Sequence, residues 1–171
     1  KVLNGSVNPS GKLPITYPMN EAQLPLVYNH LPTGRGDDYR NQSGEPLFPF
    51  GFGLSYTNFE FTEIPGEGNQ IYQLGDTVKI KMKLTNSGTI QGAEVVQCYL
   101  KSLQTNEIRP IQELIQFQRI SLNANETSIQ ELQFNLNHDL SAFGLLPGDY
   151  EIQIGSSSKD IRALVSFSIQ E

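Results

Sequence analysis

Residues 77–85, Thr-Val-Lys-Ile-Lys-Met-Lys-Leu-Thr, alternate polar and apolar positions without a fault. Val78, Ile80, Met82 and Leu84 fall on one side, and Thr77, Lys79, Lys81 and Lys83 on the other. That period of two predicts a strand with one buried face. Burying four such side chains gives roughly 6–12 kcal/mol of gross stabilisation, most of it offset by ordering entropy. Asn86-Ser87-Gly88 follow as turn residues. Similar runs recur. Residues 59–64 carry Phe59 and Phe61, and 93–101 set Val96, Cys98 and Leu100 against Val95 and Tyr99. Residues 112–121 alternate more weakly. Over 127–137, Leu132, Phe134 and Leu136 share a face while Ile129 is out of phase, which predicts a bulge. Tyr150, Ile152 and Ile154 align in 149–154, as do Ile161, Ala163, Val165, Phe167 and Ile169 in 161–169. Pro147-Gly148 and Gly155-Ser156-Ser157-Ser158 separate the last three runs. One helical turn is expected near Asp139–Phe143.

About seven short strands in this stretch predict an all-β fold, an immunoglobulin-like β-sandwich of fibronectin type III kind. Residues 1–58 show no sustained period, yet they carry Leu3, Leu13, Ile15, Tyr17, Leu24, Leu26, Val27, Leu31, Leu47, Phe48, Phe50 and Phe52. That is too apolar for a free linker. They also hold 7 of the 10 prolines and 7 of the 15 glycines. The expected organisation is an ordered, mostly irregular extension over 1–57 and a sandwich over 58–171. The extension is expected to lie on the sandwich or on a neighbouring chain.

Charge and composition narrow the function. The net charge of −6 sits wholly in the second part, where 8 basic residues face 14 acidic ones. No basic patch marks a nucleic-acid binder. No apolar run reaches the roughly 18 residues of a membrane span. Two histidines 108 positions apart and one cysteine cannot make a zinc site of about four ligands, so no metal or other cofactor is expected. The chain begins at Lys1 with no basic, apolar leader, which reads as a piece of something longer.

The candidate chemistry is sparse. Asp37-Asp38, with Asn41, Ser43 and Glu45, offers oxygen ligands for Ca²⁺ but lacks the one-three-five spacing, so a solvated loop is expected. Arg35-Gly36-Asp37 is an adhesion tripeptide that lies in the tail and not in a sandwich hairpin. Gly51-Phe52-Gly53 lacks the third glycine of a dinucleotide loop and predicts backbone packed against aromatic rings. Gly53-Leu54-Ser55-Tyr56-Thr57 lacks the second glycine of a nucleophile elbow. Cys98 is expected as a buried thiol. A sugar-stacking platform would fall to Tyr28, Tyr39, Tyr72 or Tyr99, because the chain has no Trp. Sequons at Asn4, Asn41 and Asn125 are about as many as chance supplies.

Asn8-Pro9-Ser10-Gly11-Lys12-Leu13-Pro14-Ile15-Thr16-Tyr17-Pro18 resembles a segment late in glycoside hydrolase family 3, the β-glucosidase and β-xylosidase family. Tyr28-Asn29-His30 and Pro32-Thr33-Gly34-Arg35 follow at that family's spacing. Pro46-Leu47-Phe48-Pro49-Phe50-Gly51-Phe52-Gly53-Leu54-Ser55-Tyr56-Thr57 is similar to the link into its C-terminal module, with Phe59 as the aromatic beyond it. Asn86, Gly88, Gly92, Glu94, Val95, Val96, Tyr99, Arg109-Pro110, Glu113-Leu114, Phe117, Asp139-Leu140-Ser141 and Gly148-Asp149-Tyr150 extend the likeness through the sandwich. The family's nucleophilic Asp and acid/base Glu belong to upstream segments, and no residue here takes either role. The resemblance implies a non-catalytic accessory end of a retaining β-glycosidase, whose two carboxyl groups stand about 5–5.5 Å apart in the parent. It places His30 and Arg35 on the parent's substrate side, and gives Phe48, Phe50, Phe52, Tyr56 and Phe59 to packing between domains. The implied partners are the remaining catalytic domains, with carbohydrate as a further candidate, in a secreted or periplasmic parent. The rival readings are a stand-alone carbohydrate-binding or adhesion module and an independent hydrolase.

Overall fold

The computed structural model describes all residues except 34–37, 39–42, 65–69, 105–106 and 171. Eight strands follow one another: β1 (Phe59–Glu63), β2 (Gln70–Gln73), β3 (Thr77–Asn86), β4 (Gly92–Gln104), β5 (Glu113–Leu122), β6 (Thr127–Asn135), β7 (Gly148–Gly155) and β8 (Ile161–Gln170). They form a three-stranded sheet, β1-β3-β6, and a five-stranded sheet, β2-β8-β7-β4-β5. Alternation decides which side chains lie between the sheets. Val78, Ile80, Met82 and Leu84 of β3 and Leu132 and Phe134 of β6 meet Val96, Cys98 and Leu100 of β4, Ile152 and Ile154 of β7, and Phe167 of β8 in one buried cluster. The sandwich expected from the pattern is therefore present.

Three details differ from the sequence reading. β2 was not anticipated: it is four residues long and runs parallel to β8, pairing Gln70 with Phe167. Ile129 makes no bulge. It pairs in unbroken register with Lys83 and points outward, 65% exposed. The register shifts fall instead at Cys98/Tyr99, Ser102/Gln104 and Ile154/Gly155. The expected helical turn is a short 3-10 turn at His138–Leu140. Tyr150 closes the corner before β7: its hydroxyl donates to the Leu146 carbonyl at 2.8 Å and accepts from the Leu146 N–H at 3.1 Å. No described helix is long and apolar enough to cross a membrane.

The described parts of residues 1–58 fold back on themselves and lie against the five-stranded sheet, Gly51 meeting Gln97, Tyr28 meeting Tyr99 and Ser10 meeting Arg119. Segments around 13–17 and 47–52 run antiparallel. Leu13 N–H donates to the Phe52 carbonyl, Gly51 N–H to Leu13, and Tyr17 N–H to Phe48, each at 2.8 Å. Tyr17 and Phe48 form an isolated bridge.

Candidate functional site

The chemically dense region of the described chain is the seam between this tail and the sandwich. Odd positions of β4 point away from the core, and Gln97 is one of them, yet it is only 2% exposed because the tail covers it. Its Nε2 donates to the carbonyls of Gly51 (3.1 Å) and Ser156 (2.6 Å), while its Oε1 accepts from the Tyr99 hydroxyl at 2.6 Å. Tyr28 stacks face to face on Phe50 at 4.1 Å, meets Tyr99 edge-on, and accepts the Leu114 N–H on its hydroxyl. The tail is thus clamped to the sandwich by the Gln97 amide, the Tyr99 ring and the β5 backbone. Ser158 N–H to the Phe50 carbonyl and Ile111 N–H to the His30 carbonyl complete the clamp, both at 3.0 Å.

A second node joins the linker to the sandwich end. Asn86 is fully buried. Its Nδ2 donates to the carbonyls of Ile90, Leu122 and Asn123, and its Oδ1 accepts from the Thr57 hydroxyl and the Gly88 N–H. Nearby, Asn8 Oδ1 accepts from Ser55 Oγ and the Tyr56 N–H, and its Nδ2 donates to the Gln91 carbonyl.

Charge pairs line the same seam. Lys12 Nζ sits 2.6 Å from Glu94, with both side chains largely buried. Asp160 faces Arg162 at 2.7 Å and accepts from Ser156 Oγ. Arg162 in turn donates to the Phe59 carbonyl and lies 5.0 Å from the Phe61 ring centre. The Arg162 hydrogen bonds hold the Asp160 carboxyl below its ordinary range, aided by Ser156 and opposed by burial. A depressed folded pKa contributes stability above the unfolded value, about 3.9 for Asp, and that stability fades as pH falls through the folded value. Asp160→Asn is therefore expected to flatten the loss of Tm as pH falls below about 4. Parallel Tm–pH curves for the two proteins would remove this assignment.

The predicted residues fall in different places. Phe59 belongs to the buried sandwich core. Phe50 packs in the clamp, and Phe48 stacks on Phe52 at 4.9 Å. Phe48 and Tyr56 remain exposed. His30 is half-buried, with Nδ1 2.8 Å from the Leu31 carbonyl. Arg35, Asp37, Tyr39 and Asn41 lie outside the described residues, and with them the adhesion tripeptide and two of the five candidate calcium ligands. Asp38 accepts the Gly44 N–H at 2.8 Å. Gly51 and Gly53 do allow close approach, but not to rings as expected: their neighbours are the Gln97 amide, and the Gly11 carbonyl with the Lys12 side chain. Tyr72 and Tyr99 pack against other rings. Cys98 is buried, and burial pushes its thiol up to about 12. Among the described residues no group of three or more His, Cys, Asp or Glu side chains is placed to hold a metal ion.

Sequence reasoning missed Gln97 and the role of Arg109. A glutamine inside Val-Val-Gln-Cys-Tyr was the available signal for the first. Arg109 is 7% exposed and donates to the carbonyls of Phe143 and Gly144, tying the 141–146 loop to the start of β5.

Comparison with known proteins matches this architecture. Residues 1–56 match the model of the glycosyl hydrolase family 3 C-terminal domain, and residues 94–158 match a fibronectin type III-like domain. The whole chain is 33% identical to a putative β-xylosidase of Formosa agariphila, of which it covers 23%. It is also 33% identical, over 94% of its length, to a periplasmic β-glucosidase of Salmonella typhimurium, again covering 23%. A β-glucosidase structure from Listeria innocua, solved with glucose, superposes with a TM-score of 0.85 at 30% identity, over 99% of this chain and 25% of that one. The chain thus spans about a quarter of the length of these relatives. Over its full length it belongs to the C-terminal region of glycoside hydrolase family 3 proteins, joining sequence of their C-terminal domain to their fibronectin type III-like domain.

Proposed function

We propose that this chain is the non-catalytic, accessory end of a retaining β-glucosidase- or β-xylosidase-type enzyme, and that its partners are that enzyme's catalytic domains. The observation that carries the reading is where apolar surface remains. Of the 22 large hydrophobic residues exposed among the described residues, 13 lie in residues 1–58, a third of the chain. They include Ile15, Met19, Leu24, Leu47, Leu54 and Tyr56. A tail clamped by one side to a sandwich while its other side stays apolar is built to sit between two bodies. The division into a tail over 1–57 and a sandwich over 58–171 follows from that role, with Phe48, Phe52 and Tyr56 facing the catalytic part. The name of the Salmonella relative supports a periplasmic or secreted parent.

The isolated chain is expected to show no turnover of aryl β-glucosides or β-xylosides. Clear activity, abolished by changing a single carboxylate, would overturn the reading. His30 and Arg35 are assigned by resemblance to the parent's substrate side. His30→Ala in the parent should then raise KM several-fold, and an unchanged KM would remove that assignment.

A further inference from the structure

The outer face of the three-stranded sheet carries a row of charge that neither the fold nor the tail explains. β3 is the middle strand of that sheet, between β1 and β6. Lys79, Lys81 and Lys83 stand on its outer side, all exposed. Successive outward side chains of a strand are about 7 Å apart, so the three stems form a straight row. Lysines often guard an edge strand against pairing with another chain. Both sides of β3 are already paired, Phe61 lying beside Leu84 and Ile80 beside Leu132.

The neighbours do little to offset the repulsion among three like charges. Lys79 lies opposite Gln133, and Lys83 lies between Ile129 and Thr62. Lys81 faces an acid, Glu131, whose Oε1 accepts the Gln133 amide at 2.8 Å. The other acid on this face is Glu60, diagonal to Lys83 through its pairing with Thr85. Among the described residues, none of the three lysines belongs to an ion pair. The result is a local excess of positive charge on a chain of net charge −6.

The chemistry of the face selects the ligand. A line of exposed ammonium groups complements a linear polymer that carries anionic groups at intervals. Nucleic acids are held by Arg forks and by stacking on aromatic rings. The described outer face of this sheet has neither an Arg nor an aromatic side chain. Recruitment to an anionic membrane takes about four to eight basic residues, more than this face offers. Lysine acts as a point charge without Arg's fixed fork geometry, which suits carboxylates spaced along a chain. Exposed Thr62, Gln133 and Asn135 add hydroxyl and amide groups that can meet sugar hydroxyls.

We propose that this face binds an acidic polysaccharide, a polyuronate, with carboxylates along the Lys79–Lys81–Lys83 row. The choice of a glycan over an acidic polypeptide rests on the accessory reading above, in which the parent cleaves glycans. Each exposed charge pair contributes little by itself, so binding takes the whole row and weakens with salt. The test is biolayer interferometry of the chain on immobilised polygalacturonate, neutral β-glucan and poly-L-glutamate, and on phosphatidylserine vesicles. Binding to polygalacturonate above the other three is expected, about tenfold weaker at about 0.3 M than at about 0.05 M salt. The triple variant Lys79→Gln/Lys81→Gln/Lys83→Gln should lose about tenfold or more in affinity. Lys1→Gln/Lys101→Gln/Lys159→Gln removes the same three charges elsewhere, taking the net charge from −6 to −9, and should bind like the unaltered chain. Glu131→Lys should bind several-fold tighter, a gain that a folding defect cannot mimic. Absence of binding to polygalacturonate, equal affinity of the two triple variants, or no gain in Glu131→Lys would overturn the proposal. Equal or tighter binding to poly-L-glutamate or to the vesicles would make the partner an acidic polypeptide or a membrane and overturn the glycan. Turnover measurements decide the accessory reading separately, so each of these outcomes leaves it standing.

Discussion

Asn86→Ala is expected to destabilise the sandwich by about 3–5 kcal/mol, because one side chain satisfies five backbone and hydroxyl groups at a site closed to water. Each buried group left without a partner costs about 1–3 kcal/mol. Alanine would take a partner from three carbonyls, the Thr57 hydroxyl and the Gly88 N–H, although the Asn123 carbonyl keeps the Glu126 N–H. Part of that is regained, since the 87–91 turn reaches solvent. For a chain of this length the loss corresponds to a fall in Tm of about 6–20 °C. Asn86→Asp separates the two halves of the node: it keeps the acceptor for Thr57 and Gly88 but removes the donors, and it should also be strongly destabilised. Urea unfolding is the measurement, with a lower midpoint and an unchanged slope. A shift below about 1 kcal/mol for Asn86→Ala would show that the node is not the tie described here.

Gly51→Ala should act on a different part of the molecule. Gly51 has φ +80°, a conformation that costs an L-residue about 1–2 kcal/mol. A Cβ there would stand 1.9 Å from Gln97 Oε1 and 2.8 Å from its Cδ. Gln97 cannot step aside cheaply, because it would give up the Tyr99, Gly51 and Ser156 hydrogen bonds together. The combined cost is about 3–4 kcal/mol, relieved by lifting the tail and not by unfolding the sandwich. Limited proteolysis should therefore cut within residues 1–58 at least tenfold faster while the sandwich stays intact. Gly75→Ala is the matched control: its φ is +97° but nothing lies within 4 Å of the added carbon, so only the backbone strain of about 1–2 kcal/mol remains. Unchanged protection of the tail in Gly51→Ala would refute the clamp.

These two positions show how far the amino-acid order carried the reading. β3, β7 and β8 were legible because a strand with one buried face must alternate, and their pattern is uninterrupted. β2 was not legible: Gln-Ile-Tyr-Gln is too short to show a period, and its partner strand lies 97 positions away, Gln70 beside Phe167. Ile129 misled because an isoleucine out of phase resembles a bulge, whereas the structure simply leaves it in water.

The order of residues alone thus determined the all-β sandwich, the composition break near residue 58, the burial of Cys98 and the family likeness of the tail. All of these depend on local periodicity or on contiguous motifs. Tertiary structure alone decided what the tail does with its polar groups. Gly51 meets Gln97 across 46 positions and Thr57 meets Asn86 across 29. Gln97 counts as an outward polar residue in the strand pattern and becomes a buried anchor only when a distant segment covers it. A contact between segments so far separated is set by how the sheets twist and where the chain returns, and no window of sequence contains that information.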